Sequence, residues 1–206
     1  METSPAQILS TPGGQAALFA STLATCDPGD HAIIIAPYYA TYPPTFRAAQ
    51  VDISIVDARA EDGFQPQAAT IEAAITPRTR AILINTPNNP TGAVYTQETL
   101  EGIADVCRRH DLWLISDEVY WTIAGARKHI SPRSLPGMDE RTLVVNSMSK
   151  SHGMTGWRIG WLTGPEDFVT MLISLNLVST YGLPDFISRA AVDALVEVEA
   201  KKYAEA

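Results

Sequence analysis

The stretch LWLISDEVY, Leu112–Tyr120, runs apolar to Ile115 and Ser116 and then delivers Asp117, Glu118 and Tyr120 in quick succession. A short strand with no polar face has to be covered on both sides, as in sheets flanked by two helical layers. In such sheets ligands collect beyond the carboxyl ends of the strands. An acid placed there is either the cap of the next element or part of a site. The other strand ends decide between the two.

Working outward, HAIIIAP (His31–Pro37), VDISIVD (Val51–Asp57), AILIN (Ala81–Asn85) and RTLVVNS (Arg141–Ser147) read as further short strands, and WRIGWLTG (Trp157–Gly164) as one more. Helical patterns lie between and after them, over Gln15–Thr25, Gln67–Ile75, Thr96–Arg109, Glu166–Val178 and Pro184–Ala204. DPGD closes the first with a Pro–Gly stop, and Thr96 suits a helix start. Strands alternating with helices predict a three-layer α/β/α domain with a mostly parallel sheet. The chain shows no internal repeat, low-complexity tract or linker.

Its 206 residues suffice for one large domain with a core, and 46% hydrophobic with 18% charged residues is an ordinary globular balance. A net charge of −8 argues against nucleic acid or an anionic membrane surface as the main partner. No apolar run approaches the roughly 20 residues that span a bilayer. The start METSPAQILSTPGG has neither the charged nor the apolar region of a secretory signal, so a cytoplasmic protein is expected. Cys26 and Cys107 are too few and too far apart for a metal knuckle or a disulfide framework; two buried thiols and no metal are expected.

Four strand ends carry polar groups to one edge. LWLIS leads into Asp117 and Tyr120, AILIN into TPNNPTG (Thr86–Gly92), HAIIIA into PYYATYPP (Pro37–Pro44), and RTLVVNS into MSKSHGMTGWR (Met148–Arg158). Each has a bland reading of its own. NNPTG is a good turn, and Tyr38, Tyr39 and Tyr42 suit a core or its rim. The glycines of TPGGQAAL (Thr11–Leu18) cap a helix or make a backbone anion site, and a lone lysine among serines is usually solvated. One chemistry uses all of them together. A lysine amine forms a Schiff base with an aldehyde. A carboxylate keeps a pyridine nitrogen protonated so that the ring takes up electrons, and an aromatic side chain stacks on it. Helix N–H groups, a serine and Arg158 hold a phosphate. That set describes a pyridoxal phosphate site.

TPGGQAAL, DPGD, PYYATYP, NTPNNPTGAVY, ISDEVY and SMSKSHGMTGWRIGW, in this order and covering nearly the whole chain, resemble the class I/II aminotransferases, the aspartate-aminotransferase-like enzymes of fold-type I. The resemblance implies pyridoxal 5'-phosphate as cofactor, with an amino acid and a 2-oxo acid as substrates. It makes Lys150 the Schiff-base lysine and proton carrier, and Asp117 the partner of the pyridine nitrogen. Asn89 and Tyr120 hydrogen-bond the phenolic oxygen, Tyr39 takes the stacking position, and Gly14, Gln15, Ser147 and Arg158 surround the phosphate. In many relatives the bonds before Pro37 and Pro90 are cis. His152 has no firm role, and Trp157 and Trp161 are expected to pack the core.

Full-length relatives are about twice as long. The resemblance therefore implies that residues 1–206 are the cofactor-binding large domain. An N-terminal arm would precede Met1, and a small domain with the carboxylate-gripping arginine would follow Ala206. Arg189 is expected at the surface instead. A homodimer is implied for the full-length form. Two other functions share these residues: a C–S or α,β-eliminating lyase of the same superfamily, and a non-catalytic cofactor-binding module.

Overall fold

A computed structural model describes residues 3–125 and 128–204. In chain order the elements are β1 (Ile8–Thr11), α1 (Gly14–Thr25), β2 (His31–Ala36), α2 (Tyr42–Ala48), β3 (Asp52–Asp57), α3 (Ala68–Ala73) and β4 (Thr79–Asn85). They continue with α4 (Gln97–Arg109), β5 (Trp113–Asp117), β6 (Thr142–Ser147), α5 (Met148–Ser151), β7 (Gly160–Thr163), α6 (Glu166–Ser179) and α7 (Asp185–Ala204).

The seven strands form one sheet in the order β1-β7-β6-β5-β4-β2-β3. β7 runs antiparallel to both its neighbours and every other pairing is parallel. Because side chains alternate along a strand, each central strand feeds two cores. Ala32 and Ile34 of β2, Ala81 and Leu83 of β4, and Ile115 of β5 pack with Leu18 of α1, Phe46 of α2 and Val169 of α6. Ile33, Ile35, Ile82, Ile84 and Leu114 pack on the opposite face with Ile71 of α3 and with Leu100, Ile103 and Cys107 of α4. The three-layer α/β/α architecture with a mostly parallel sheet is the one the strand pattern predicts. A smaller cluster of Met148, Ile159 and Ala191 seats the first half of α7.

The helix starts follow local chemistry. Thr96 caps α4 by accepting the Thr99 N–H at 3.1 Å, and Glu98 in the first turn favours the positive end of the helix. The two cysteines are buried and unpaired, and burial pushes Cys107 up to about 12 and Cys26 up to about 11, which keeps both as thiols.

Three expectations need correction. The strand expected over Trp157–Gly164 is only Gly160–Thr163. Thr155–Trp157 form a 3-10 turn and Arg158 sits in the left-handed region at φ 53°, which cannot continue an extended chain. Trp157 consequently stays 47% exposed rather than packing the core, whereas Trp161 packs against the Met148 cluster. Finally, β1, α2 and α5 were not expected at all; Pro43 and Pro44 occupy the first turn of α2, where proline is tolerated.

Candidate active site

The order β5-β4-β2-β3 reverses direction between β4 and β2, because β3 lies outside β2 while β5 lies on the other side of β4. The carboxyl ends at such a reversal leave a crevice. A cavity of about 360 Å³ opens there. Gly14, Gln15, Tyr39, Asn89, Asp117, Tyr120, Ser147, Lys150 and Arg158 all line it. Peptides on both sides of the reversal are cis: Ala36–Pro37 after β2, and Thr86–Pro87 and Asn89–Pro90 after β4. The first and last were expected, the middle one was not.

Asp117 ends β5, 7% exposed. Tyr42 donates its hydroxyl to Asp117 Oδ2 at 2.6 Å, and the Val119 N–H donates to Oδ1 at 3.2 Å. Among the described residues no cation pairs with this carboxylate. Burial pushes Asp117 up to about 6, with the Tyr42 and Val119 hydrogen bonds opposing the shift and the adjacent Glu118 charge adding to it. Burial, reinforced by Asp117, also pushes Tyr42 well above the ordinary tyrosine range, so Tyr42 is a permanent donor.

Asn85 braces the floor. Its Nδ2 donates to the Asp117 carbonyl at 3.0 Å and the Pro87 carbonyl at 3.1 Å, while its Oδ1 accepts the Asn89 N–H at 2.7 Å. One buried amide thus ties the ends of β4 and β5 together and fixes the backbone of Asn89. Asn89 Nδ2 donates to the Tyr120 hydroxyl at 3.2 Å, which brings the two residues to one spot. Tyr39 is 46% exposed at the rim and meets Tyr42 edge to face, centroids 6.0 Å apart.

The opposite wall is the start of α1. The first N–H groups of a helix lack intrahelical acceptors, and here they belong to the cavity-lining Gly14 and Gln15. Two glycines make this approach possible. A Cβ on Gly160 would lie 2.5 Å from Gly13 C and from Gly14 N, and 2.9 Å from the Asn146 carbonyl. Gly13, at φ 90°, leaves room for the Arg158 guanidinium, which a Cβ there would strike. Arg158 donates to the Thr155 carbonyl at 2.8 Å and the Pro12 carbonyl at 3.4 Å. Its left-handed backbone turns it back toward this corner.

Ser147 caps α5: its hydroxyl accepts the Ser149 N–H at 3.1 Å and donates to the Ile159 carbonyl at 2.9 Å. Lys150, on α5, is exposed and makes no hydrogen bond or ion pair among the described residues. The Gln15 amide is held between Thr41 and Thr45, each at 2.8 Å, so it contributes its backbone rather than a free side chain.

Sequence reasoning overlooked Tyr42, Asn85, Gly13 and Ser149 as contributors to this site. Tyr42 was one of three tyrosines with no distinguishing pattern. The glycine pair was visible, but its steric reason lies in Arg158 and Gly160, far along the chain. His152 does not line the cavity; its Nδ1 is 2.7 Å from Ser151 Oγ. Arg189 is exposed and pairs with Asp185 at 2.8 Å.

Comparisons with known proteins identify the family. Residues 1–205 match the family Aminotransferase class I and II. The arginine–pyruvate transaminase of Pseudomonas aeruginosa is 47% identical over 189 residues, 92% of this chain and 48% of that protein. The aspartate/prephenate aminotransferase of Thermus thermophilus is 41% identical over 204 residues, 98% of this chain and 52% of that one. A solved structure of the Thermus thermophilus aspartate aminotransferase with maleate superposes with a TM-score of 0.92 at 39% identity, covering 98% of this chain and 52% of that one.

The chain belongs to the class I and II aminotransferases. It spans about half the length of the curated relatives it matches.

Members of this family use pyridoxal phosphate. The cavity fits such a group chemically. It offers helix N–H groups and a guanidinium for a phosphate, an unpaired lysine for an aldehyde, and a buried carboxylate without a cation for a protonated ring nitrogen. Among the described residues no cluster of His, Cys, Asp and Glu could hold a metal ion, and no helix is long and apolar enough to cross a membrane.

Proposed function

We propose that residues 1–206 form the cofactor-binding large domain of an aminotransferase that moves an α-amino group between an L-amino acid and a 2-oxo acid. The observation that carries this reading is Asp117. A carboxylate this buried is costly unless something cationic completes it, and among the described residues only neutral donors reach it.

When bound, pyridoxal phosphate supplies an aldehyde for amines and an electron-accepting ring. The protein's residues do the rest. The Gly14 and Gln15 N–H groups, the Ser147 region and Arg158 would hold the phosphate. Asp117, held by Tyr42, would keep a proton on the ring nitrogen. Asn89 and Tyr120 would hydrogen-bond the phenolic oxygen, and Tyr39 would supply the stacking ring. Lys150 would be the amine that takes up the aldehyde and, once free, the group that moves a proton at the substrate α-carbon.

The test is the absorption spectrum of the chain with pyridoxal phosphate beside Lys150→Ala. A lysine-dependent band supports the reading, and its absence from the unaltered chain overturns it. Added amino acid then separates the chemistries. Oxo acid with pyridoxamine phosphate marks transamination, and ammonia with pyruvate marks the eliminating lyase. The names of the relatives, which include arginine, aspartate/prephenate and kynurenine transaminases, leave the amino donor open.

A second reading has its own support. Arg158 is the one arginine among the described cavity-lining residues, and it is committed to the phosphate corner. With no second guanidinium in the cavity to grip an α-carboxylate, the alternative is a non-catalytic cofactor-binding module; a lysine-dependent band that amino acids leave unchanged would establish that. Homodimerisation belongs to the same proposal. The apolar residues exposed on and between α6 and α7, among them Val178, Tyr181 and Phe186, favour burial against another surface. Light scattering on the eluting peak measures it. A cytoplasmic setting is part of the reading as well, and cell fractionation tests it.

A further inference from the structure

Next to Asp117 in the chain lies a second buried acid that does not line the cavity. Glu118 is 3% exposed. Its Oε1 accepts from Ser116 Oγ at 3.0 Å and from Ser131 Oγ at 2.8 Å, and its Oε2 lies 2.7 Å from His129 Nε2. The His129 side chain is 8% exposed, and its Nδ1 is buried without a partner. Two further charges act on the group. Arg133 is buried beside it, with its field on Glu118 and Asp139 and one hydrogen bond to Thr3 Oγ1 at 3.2 Å. Asp117 precedes it in the chain, and the Glu118 charge adds to the upward shift of Asp117.

Three groups, Ser116, Ser131 and His129, converge on the Glu118 carboxyl and hold one another in place. What they enclose is the segment between the partners. Val119 and Tyr120 line the cavity, and Trp121–Ile123 form a 3-10 turn whose first N–H donates to the Glu118 carbonyl at 2.9 Å. The Val119 N–H in turn fixes Asp117 Oδ1. The Tyr120 hydroxyl accepts from Asn89, and the Glu118 carboxyl adds a second tie, on the side away from the cavity.

We propose that the Glu118–His129 pair is a positioning latch for the cleft: it holds the end of β5 from outside the cavity and thereby sets the aim of the Asp117 carboxylate and the Tyr120 hydroxyl. His129 is a positioning residue, acting through Glu118 and the backbone. The consequence for cofactor rests on the functional reading above; the consequence for the loop does not.

The experiment compares the unaltered chain with His129→Leu and His129→Gln. It reads amide hydrogen exchange at Val119 and Trp121 without cofactor, and the dissociation constant for pyridoxal phosphate. His129→Leu should speed exchange at these two amides at least tenfold relative to Ile33 and Leu83 in the sheet, and weaken cofactor binding at least tenfold. His129→Gln, whose amide N–H reaches the place of Nε2, should recover most of both. A lowered melting temperature with Val119 and Trp121 protected as before would overturn the latch. If His129→Leu does not fold, His129→Phe, which fills the space of the imidazole without a donor, takes its place, and unchanged protection there overturns the latch equally. Should the unaltered chain bind no pyridoxal phosphate, the functional reading fails while the amide pattern still decides the latch.

Discussion

Tyr42 Oη lies 2.6 Å from Asp117 Oδ2, a hydrogen bond between the first turn of α2 and the last residue of β5. It is the shorter of the two hydrogen bonds to the Asp117 carboxylate, the other coming from the Val119 N–H. Replacing Tyr42 by Phe keeps the packing and removes the donor. The Asp117 carboxyl should then titrate higher than in the unaltered protein, since that hydrogen bond favours the ionised form. A hydrogen bond to a charged group contributes about 1.5–3 kcal/mol, so the shift should be about a pH unit or more. Carbon-13 NMR of the Asp117 carboxyl measures it directly; an unmoved titration would show that burial alone governs the group.

The same carboxyl makes stability depend on pH in a defined direction. Asp117 stands at about 6 in the fold against 3.8 for the ordinary group, so between these values the folded state holds the proton more tightly. Its contribution is fully present below about pH 4 and is lost as pH rises through 6. At about 1.4 kcal/mol per unit the whole effect is on the order of 3 kcal/mol. Urea unfolding from pH 4 to 7 should show this decline for the cofactor-free chain and a flatter curve for Asp117→Asn. A parallel pair of curves would refute the assignment.

Gly160→Ala and Gly29→Ala separate crowding from backbone strain. Gly29 adopts φ 89° but nothing lies within 4 Å of an added Cβ, so its cost is the left-handed backbone, about 1–2 kcal/mol. At Gly160 the added atom would meet backbone atoms at 2.5 Å, and either β7 or the start of α1 has to move. Thermal unfolding should show Gly29→Ala lower by about 2–8 °C. Gly160→Ala should fall further and lose affinity for inorganic phosphate as well, which Gly29→Ala should keep.

Arg158→Lys tests the phosphate corner without removing charge. A lysine keeps one point charge but loses the planar fork, and its stem does not reproduce the contact with the Pro12 carbonyl. Affinity for pyridoxal phosphate should fall roughly 10–100-fold, as for the loss of one charge-assisted contact of about 1.5–3 kcal/mol. Unfolding in urea without cofactor should change by less than about 0.5 kcal/mol, because Arg158 is exposed. Equal losses in both measurements would make Arg158 a structural residue.

Much of this was legible in the sequence because it is local. The β-branched runs at Ile33–Ile35 and Ala81–Ile84 alternate between two faces, which is enough to predict two helical layers. Thr96 announces a helix through its own side chain. The nine residues expected at a site share one cavity because strand ends are where that chemistry has to be. What escaped depends on distant partners. Tyr42 is one tyrosine among several until α2 sets it against Asp117. Arg158 looked like part of a strand, and only its approach to Gly13 explains the left-handed turn. β1 is four residues long and exists because β7 offers an edge, a reason that no window around Ile8–Thr11 contains.

The pairing of β1 with β7 has a further bearing on how the protein comes into being. Arg158 and Pro12 are 146 residues apart in sequence yet meet at one corner, and Gly160 is what lets the start of α1 settle there. A chain emerging from the ribosome can therefore lay down β2 to β6 while its phosphate corner is still half missing and α6, part of one helical layer, has yet to follow. If this corner holds the cofactor as proposed, capture has to wait until the seventh strand has been made.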